Sequence, residues 1–139
     1  MLIEFEIPGN HLDPIGNALP KVKLTRRQYW TPKAQRYSAW KKYVVTHMLF
    51  AFASDHDKMP PELVGVLNPQ REEKPLIVPK GKKIYMDILI EWKDNTHADP
   101  ENVFGSIADA LFQNDKGLCG SFDAVEKRGT GKVHVRISL

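Results

Sequence analysis

"IYMDILIEWKDNTHADPENVFGSIADALFQNDKG", residues 84–117, decides the fold. Ile84, Met86, Ile88, Ile90 and Trp92 alternate with Tyr85, Asp87, Leu89, Glu91 and Lys93. A period of two with apolar side chains on one parity is the mark of a strand with one buried face. "KDNTHAD" ends it. From Pro100 to about Gln113 the period lengthens, and Val103, Ile107, Ala110 and Leu111 fall on one face of a helix. Asp99 stands at the N-cap of that helix and Pro100 at its first position, where a missing N–H costs nothing. "NDKG" then turns the chain.

Outward from this core the pattern stays mixed. Ile3, Phe5 and Ile7 alternate with Glu4 and Glu6, predicting an opening strand over residues 2–7. "PGNHLDPIGNALP" is a loop punctuated by Pro and Gly. Thr31 and Pro32 predict a helix start, and Tyr37, Trp40, Val44, Met48 and Ala51 form an apolar face over about five turns. Five prolines at 60, 61, 69, 75 and 79 break residues 54–83 into a connection without a long element. A strand is expected near 121–128, a turn at "RGTG", and a closing strand with Val133, Val135, Ile137 and Leu139 facing inward. No internal repeat and no interdomain linker stand out. The expected fold is one α+β domain over residues 1–139, with two main helices on a mixed or mainly antiparallel sheet.

The 139 residues suffice for one domain with a real core. No apolar run reaches the roughly 18 residues of a membrane span. "MLIEFEIPGN" has acids and no basic n-region, so it does not read as a secretory signal. The single Cys119 excludes an internal disulfide and a zinc cluster, and a reducing, cytoplasmic setting is expected. Net charge is +3 and the pI about 9.0. Lys21, Lys23, Arg26, Arg27, Lys33, Arg36, Lys41 and Lys42 occupy residues 21–50, which contain no Asp or Glu. Tyr29, Trp30, Tyr37, Trp40 and Tyr43 are interleaved with them. Such a tract is the footprint of a phosphate-backbone binder. It is equally a solvated face whose aromatics belong to the core.

Asp99, Glu101 and Asp115 also carry two readings. In one, Asp99 caps the helix and Glu101 complements its positive end. In the other, the three acids converge on a hard divalent cation. Mg²⁺ takes one or two carboxylates plus water and substrate phosphate. It can activate water, polarise a phosphoryl oxygen and stabilise a leaving oxygen. Asn102 would support the ligands from behind.

"ADPENVFGSIADAL" followed by "ND" resembles the signature of the RusA-type Holliday junction resolvases. The order of elements is similar too: a strand ending in "IPG", a "PKVK" stretch, "YWTPKAQRY" opening a helix, a long strand, the acidic helix and a closing strand. The resemblance implies a homodimeric, Mg²⁺- or Mn²⁺-dependent endodeoxyribonuclease that nicks opposed strands of four-way DNA junctions in recombination and repair. It assigns metal binding and catalysis to Asp99, Glu101 and Asp115, support to Asn102, and DNA-backbone contacts to Lys21, Lys23, Arg26, Arg27, Lys33 and Arg36. Three positions depart from the pattern: Glu101 replaces an Asp, Gly105 stands where a lysine is frequent, and Asn114 replaces an acid. These departures motivate a competing expectation, a junction-binding protein of the same fold with weak or no nuclease activity. A basic α+β domain that binds another protein is the third.

Other motifs lead nowhere. "HAD" at 97–99 lacks the P-C-x-x-C that a zinc deaminase needs. "GTGK" at 129–132 lacks phosphate-loop spacing. "SDHDK" at 54–58 reads as a solvated loop, and Cys119 has no evident activating partner.

Overall fold

The computed structural model describes residues 2–23, 30–53, 74–78, 80–114, 116–126 and 129–138. Arg26, Arg27, Asp115, Leu139, the "SDHDK" run and most of the proline-rich connection lie outside them. The elements run β1 (Leu2–Pro8), α1 (Pro32–Ala53), β2 (Ile84–Trp92), α2 (Pro100–Leu111), β3 (Leu118–Glu126) and β4 (Lys132–Ser138). The result is an α+β domain: two helices and one four-stranded mixed sheet of order β1-β4-β2-β3.

Burial explains each element. Ile84, Met86, Ile88, Ile90 and Trp92 of β2 are all buried, as are Ile3, Phe5 and Ile7 of β1 and Val133, Val135 and Ile137 of β4. The helices contribute Tyr37, Trp40, Val44, Val45 and Met48 from α1, and Val103, Ile107, Ala110 and Leu111 from α2. α1 opens where Thr31 was expected to cap it: the Thr31 hydroxyl accepts from the Ala34 N–H at 3.2 Å. Among the described residues no helix is long and apolar enough to cross a membrane.

β4 pairs antiparallel with both β1 and β2, while β2 and β3 are parallel. β2-α2-β3 is therefore a crossover unit, and the chain leaves the top of β2 directly into the acidic loop. β3 begins three residues before the expected 121, and it is a sheet edge with exposed side chains along most of its length. Its pairing with β2 depends on Gly120. A Cβ there would lie 1.9 Å from the Met86 carbonyl oxygen and 2.9 Å from Phe104 Cε2. Backbone cannot yield as a flexible side chain does. Gly120→Ala is expected to destabilise the domain by about 1–3 kcal/mol, checked by urea unfolding.

Leu76 bridges in parallel to Phe112, and Leu76 and Val78 are buried. The end of the proline-rich connection thus lies along the C-terminus of α2.

Candidate metal and phosphate site

Residues 17–21 build the site by running across the acidic loop and α2. Asn17 holds the loop from inside: its Nδ2 donates to Asp94 Oδ1 at 2.9 Å and to the Thr96 carbonyl at 3.2 Å, and its Oδ1 accepts from the Lys93 N–H at 2.6 Å. Two further bonds pin the segment to the helix. Ser106 Oγ donates to the Leu19 carbonyl at 2.7 Å, and the Lys21 N–H donates to the Asn102 carbonyl at 2.8 Å. The start of the basic tract is therefore fixed beside the acids.

Asp99 occupies the N-cap with extended backbone, yet its carboxylate makes no capping hydrogen bond. The expectation of a side-chain cap is corrected here. The Asp99 backbone carbonyl itself accepts from the Asn102 N–H at 3.0 Å and the Val103 N–H at 3.2 Å. Pro100 has no N–H to offer, so little remains for the side chain to satisfy. Asp99, Glu101 and Asn102 are exposed. Among the described residues neither the Asp99 nor the Glu101 carboxylate has a hydrogen-bond or ion-pair partner. Carboxylates of this kind fit a hard cation that takes only one or two of them. No group of three or more His, Cys, Asp or Glu side chains able to hold a metal occurs among the described residues, and the third acid, Asp115, lies outside them.

His97 has a structural task. Its ring stacks on Trp92 at 4.1 Å and 4°, and its nitrogens meet the Ala98 carbonyl at 3.0 Å and Glu126 at 2.8 Å. The Ala98 carbonyl, then the Glu126 carboxylate, favour its protonated form over the ordinary imidazole. This packing anchors the loop two residues before Asp99.

Asp109 belongs to a separate network. It accepts from Tyr37 Oη at 2.7 Å and from Lys74 Nζ at 2.9 Å, with Lys41 Nζ at 4.0 Å. Burial alone would push its carboxyl up, but the Lys74 and Tyr37 hydrogen bonds and the lysine charges outweigh it and leave the group below its ordinary 3.8. A depressed carboxyl stabilises the fold above its unfolded value and loses that contribution as pH falls through the folded one. Asp109→Asn is therefore expected to cost about 1–2 kcal/mol at neutral pH. The deficit against the parent should shrink as pH falls below 3.8, read from paired urea titrations.

The described basic residues of this set divide into two places. Lys21 and Lys23 follow the segment tied to α2, whereas Lys33 and Arg36 lie exposed in the first turns of α1. Tyr37 meets Asp109, and Trp40, one turn on, meets Ser106, so the helices run in opposite senses along their contact. Lys33 and Arg36 thus sit towards the C-terminal end of α2, about 15 Å of helix rise from Asp99. The interleaved aromatics divide as well. Tyr37 and Trp40 are core, while Trp30 is 86% exposed beside the basic tract.

Two contributors escaped the sequence. Lys74 sat inside an unreadable connection, and Asn17 inside a loop; neither has a local signal. Gly105 did have one, as a missing side chain on a helix face. Lys21 Cδ lies 3.4 Å from where a Cβ of residue 105 would be. No protein-family model and no curated protein matches this sequence.

Proposed function

We propose that this protein is a Mg²⁺-dependent, structure-selective endodeoxyribonuclease of the RusA type, acting on four-way DNA junctions. The observation that carries the reading is the pair of exposed carboxylates, Asp99 and Glu101, left without partners at a helix start that does not use them as caps. Asp99 and Glu101 hold the cation, with Asp115 as the third acid and Asn102 in support. Bound Mg²⁺, or Mn²⁺ in its place, would supply charge stabilisation at the phosphoryl group and lower the pKa of water.

The chain's own residues do the rest. Asn17, Leu19 and Ser106 keep the loop and α2 in register, so the two carboxylates are presented from a rigid helix end. Lys21, Lys23, Lys33 and Arg36, together with Arg26 and Arg27, neutralise backbone phosphates. Such contacts position a substrate without reading its sequence. Selectivity for a branched substrate comes from a homodimer, whose two sites share the two-fold symmetry of the junction.

The test is cleavage of a synthetic four-way junction beside a linear duplex, with Mg²⁺, with Mn²⁺ and with chelator. Paired symmetric nicks that need the metal are expected. Tight, salt-sensitive junction binding with no cleavage under either metal would leave a DNA-binding protein of this fold. Absence of both activities would remove the reading altogether.

A further inference from the structure

β3 is an open sheet edge. It pairs with β2, and among the described residues no backbone hydrogen bond joins it to any other segment. Its outward row of N–H and C=O groups is a template for another strand. The opposite edge is guarded. β1 carries Glu4 and Glu6, tied to Arg136 at 2.8 Å and to Lys132 at 3.5 Å, and it ends in Pro8. "LCGSFDAVE", residues 118–126, has neither a proline nor a basic residue to keep a second strand away.

The core also stops short at this edge. Phe122 stands beside Ile88, a buried residue of β2, and shares its sheet face. Its ring lies 5.8 Å from that of Phe104 on α2, which packs against the core. Phe122 is nevertheless 41% exposed. On the other sheet face Tyr85 and Val125 are exposed as well. Apolar side chains left uncovered on both faces of a free edge call for an occupant that extends both faces. A further strand does so, whereas a helix laid on one face does not.

A second copy of β3, antiparallel about a two-fold axis at Phe122, supplies that strand from the same sequence. All nine residues then find partners. Phe122 meets its counterpart, so the row that runs from Ile88 to Phe122 continues across the axis into the second core. Asp123 faces Ser121, Ala124 faces Gly120, Val125 faces Cys119 and Glu126 faces Leu118. No like charges stand opposite each other. An axis at Asp123 would set two carboxylates against one another, and an axis at Ser121 would leave Val125 and Glu126 beyond the end of the partner strand.

We propose that β3 joins two copies of this chain into one continuous sheet, with Phe122 on the two-fold axis. A two-fold pair is what the nuclease function requires, but the interface stands on β3 alone and does not rest on that function. The acidic loop follows the end of β2, to which β3 is parallel. Antiparallel β3 strands therefore carry the two loops to opposite ends of the joined sheet, roughly 30 Å apart along the strands.

The test uses the full chain. Sedimentation equilibrium is expected to give twice the chain mass, and Phe122→Lys, which sets two ammonium groups on the axis, to give the monomer. A covalent readout serves where that variant fails to fold. Val125→Cys would stand opposite the native Cys119 of the second copy. Opposed residues of antiparallel strands have Cα atoms about 4.5–5.5 Å apart, within the span of a disulfide. Mild oxidation of Val125→Cys should therefore yield a disulfide-linked dimer. Cys119→Ser with Val125→Cys should yield none, because the two copies of residue 125 lie about 20 Å apart along the strands. A monomer at every concentration, or a dimer that Val125→Cys does not link, would overturn the interface. Linked dimers that leave a four-way junction uncut would keep the interface and remove the nuclease. Junction cleavage by a chain that gives no cross-link would do the reverse.

Discussion

Asp99→Asn is expected to lower metal-dependent junction cleavage by more than 100-fold while junction affinity stays within a factor of two of the parent. Residues that merely orient metal ligands cost about 10–100-fold when removed, and a direct ligand carries more. Asn keeps the shape and removes the charge that a hard cation needs. Asn is also as good a helix cap as Asp, so this variant alone would not expose a capping role. Asp99→Ala does. A working cap costs about 1 kcal/mol when cut back to alanine. The Asp99 carboxylate makes no cap bond, so Asp99→Ala should change stability by less than about 0.5 kcal/mol, as exposed sites do. Cleavage by Asp99→Asn at the parental rate, or a full capping loss in Asp99→Ala, would sink the assignment of this residue to the metal.

The fold was legible where burial is one-sided. β2 prints its alternation because five of its side chains enter the core and their neighbours do not. α1 and α2 print theirs because each lays one stripe on the same sheet face. β3 was poorly placed for the converse reason. It lies at a sheet edge with exposed side chains on both parities, so no buried face imposes a period on its sequence. Its parallel pairing with β2 is a property of the crossover and has no local signature.

The acids of the site were legible for a different reason: a helix start that follows a strand is a local event, and Asp99 and Glu101 fall within it. Their chemical state was not legible. Whether the Asp99 carboxylate caps depends on which N–H groups its own carbonyl has already satisfied. The approach of Lys21 to Gly105 was wholly hidden. Lys21 and Gly105 are 84 positions apart in the chain, and the contact exists only because Leu19 and Lys21 are tied to Ser106 and Asn102.

Trp40→Ala is expected to carry the largest stability loss, about 3–5 kcal/mol. Trp40 is fully buried, and its Nε1–H donates to Ser106 Oγ at 3.0 Å. Ser106 Oγ in turn lies 2.7 Å from the Leu19 carbonyl and 2.8 Å from the Val103 carbonyl, with one proton to give. The indole thus fills the α1–α2 contact and also sets the direction of the hydroxyl that holds residues 19–21 on α2. Against a total stability of about 5–15 kcal/mol, the alanine variant would leave little of the folded state. Trp40→Phe separates packing from hydrogen bonding. It retains most of the apolar volume and should cost about 1–3 kcal/mol, much of it from the unpaired Ser106 oxygen. Ser106→Ala in the same background should then cost less than it does in the parent, a coupling read from a double-mutant cycle. The same pair bears on function, because the Ser106–Leu19 bond sets where Lys21 crosses Gly105. Trp40→Phe should therefore weaken junction binding while it remains folded, whereas Tyr43→Phe, elsewhere on α1, should leave binding unchanged. Additive costs in the cycle, with junction affinity unaltered in Trp40→Phe, would mean that the indole is packing alone and that the Lys21 segment is held by its own backbone bonds.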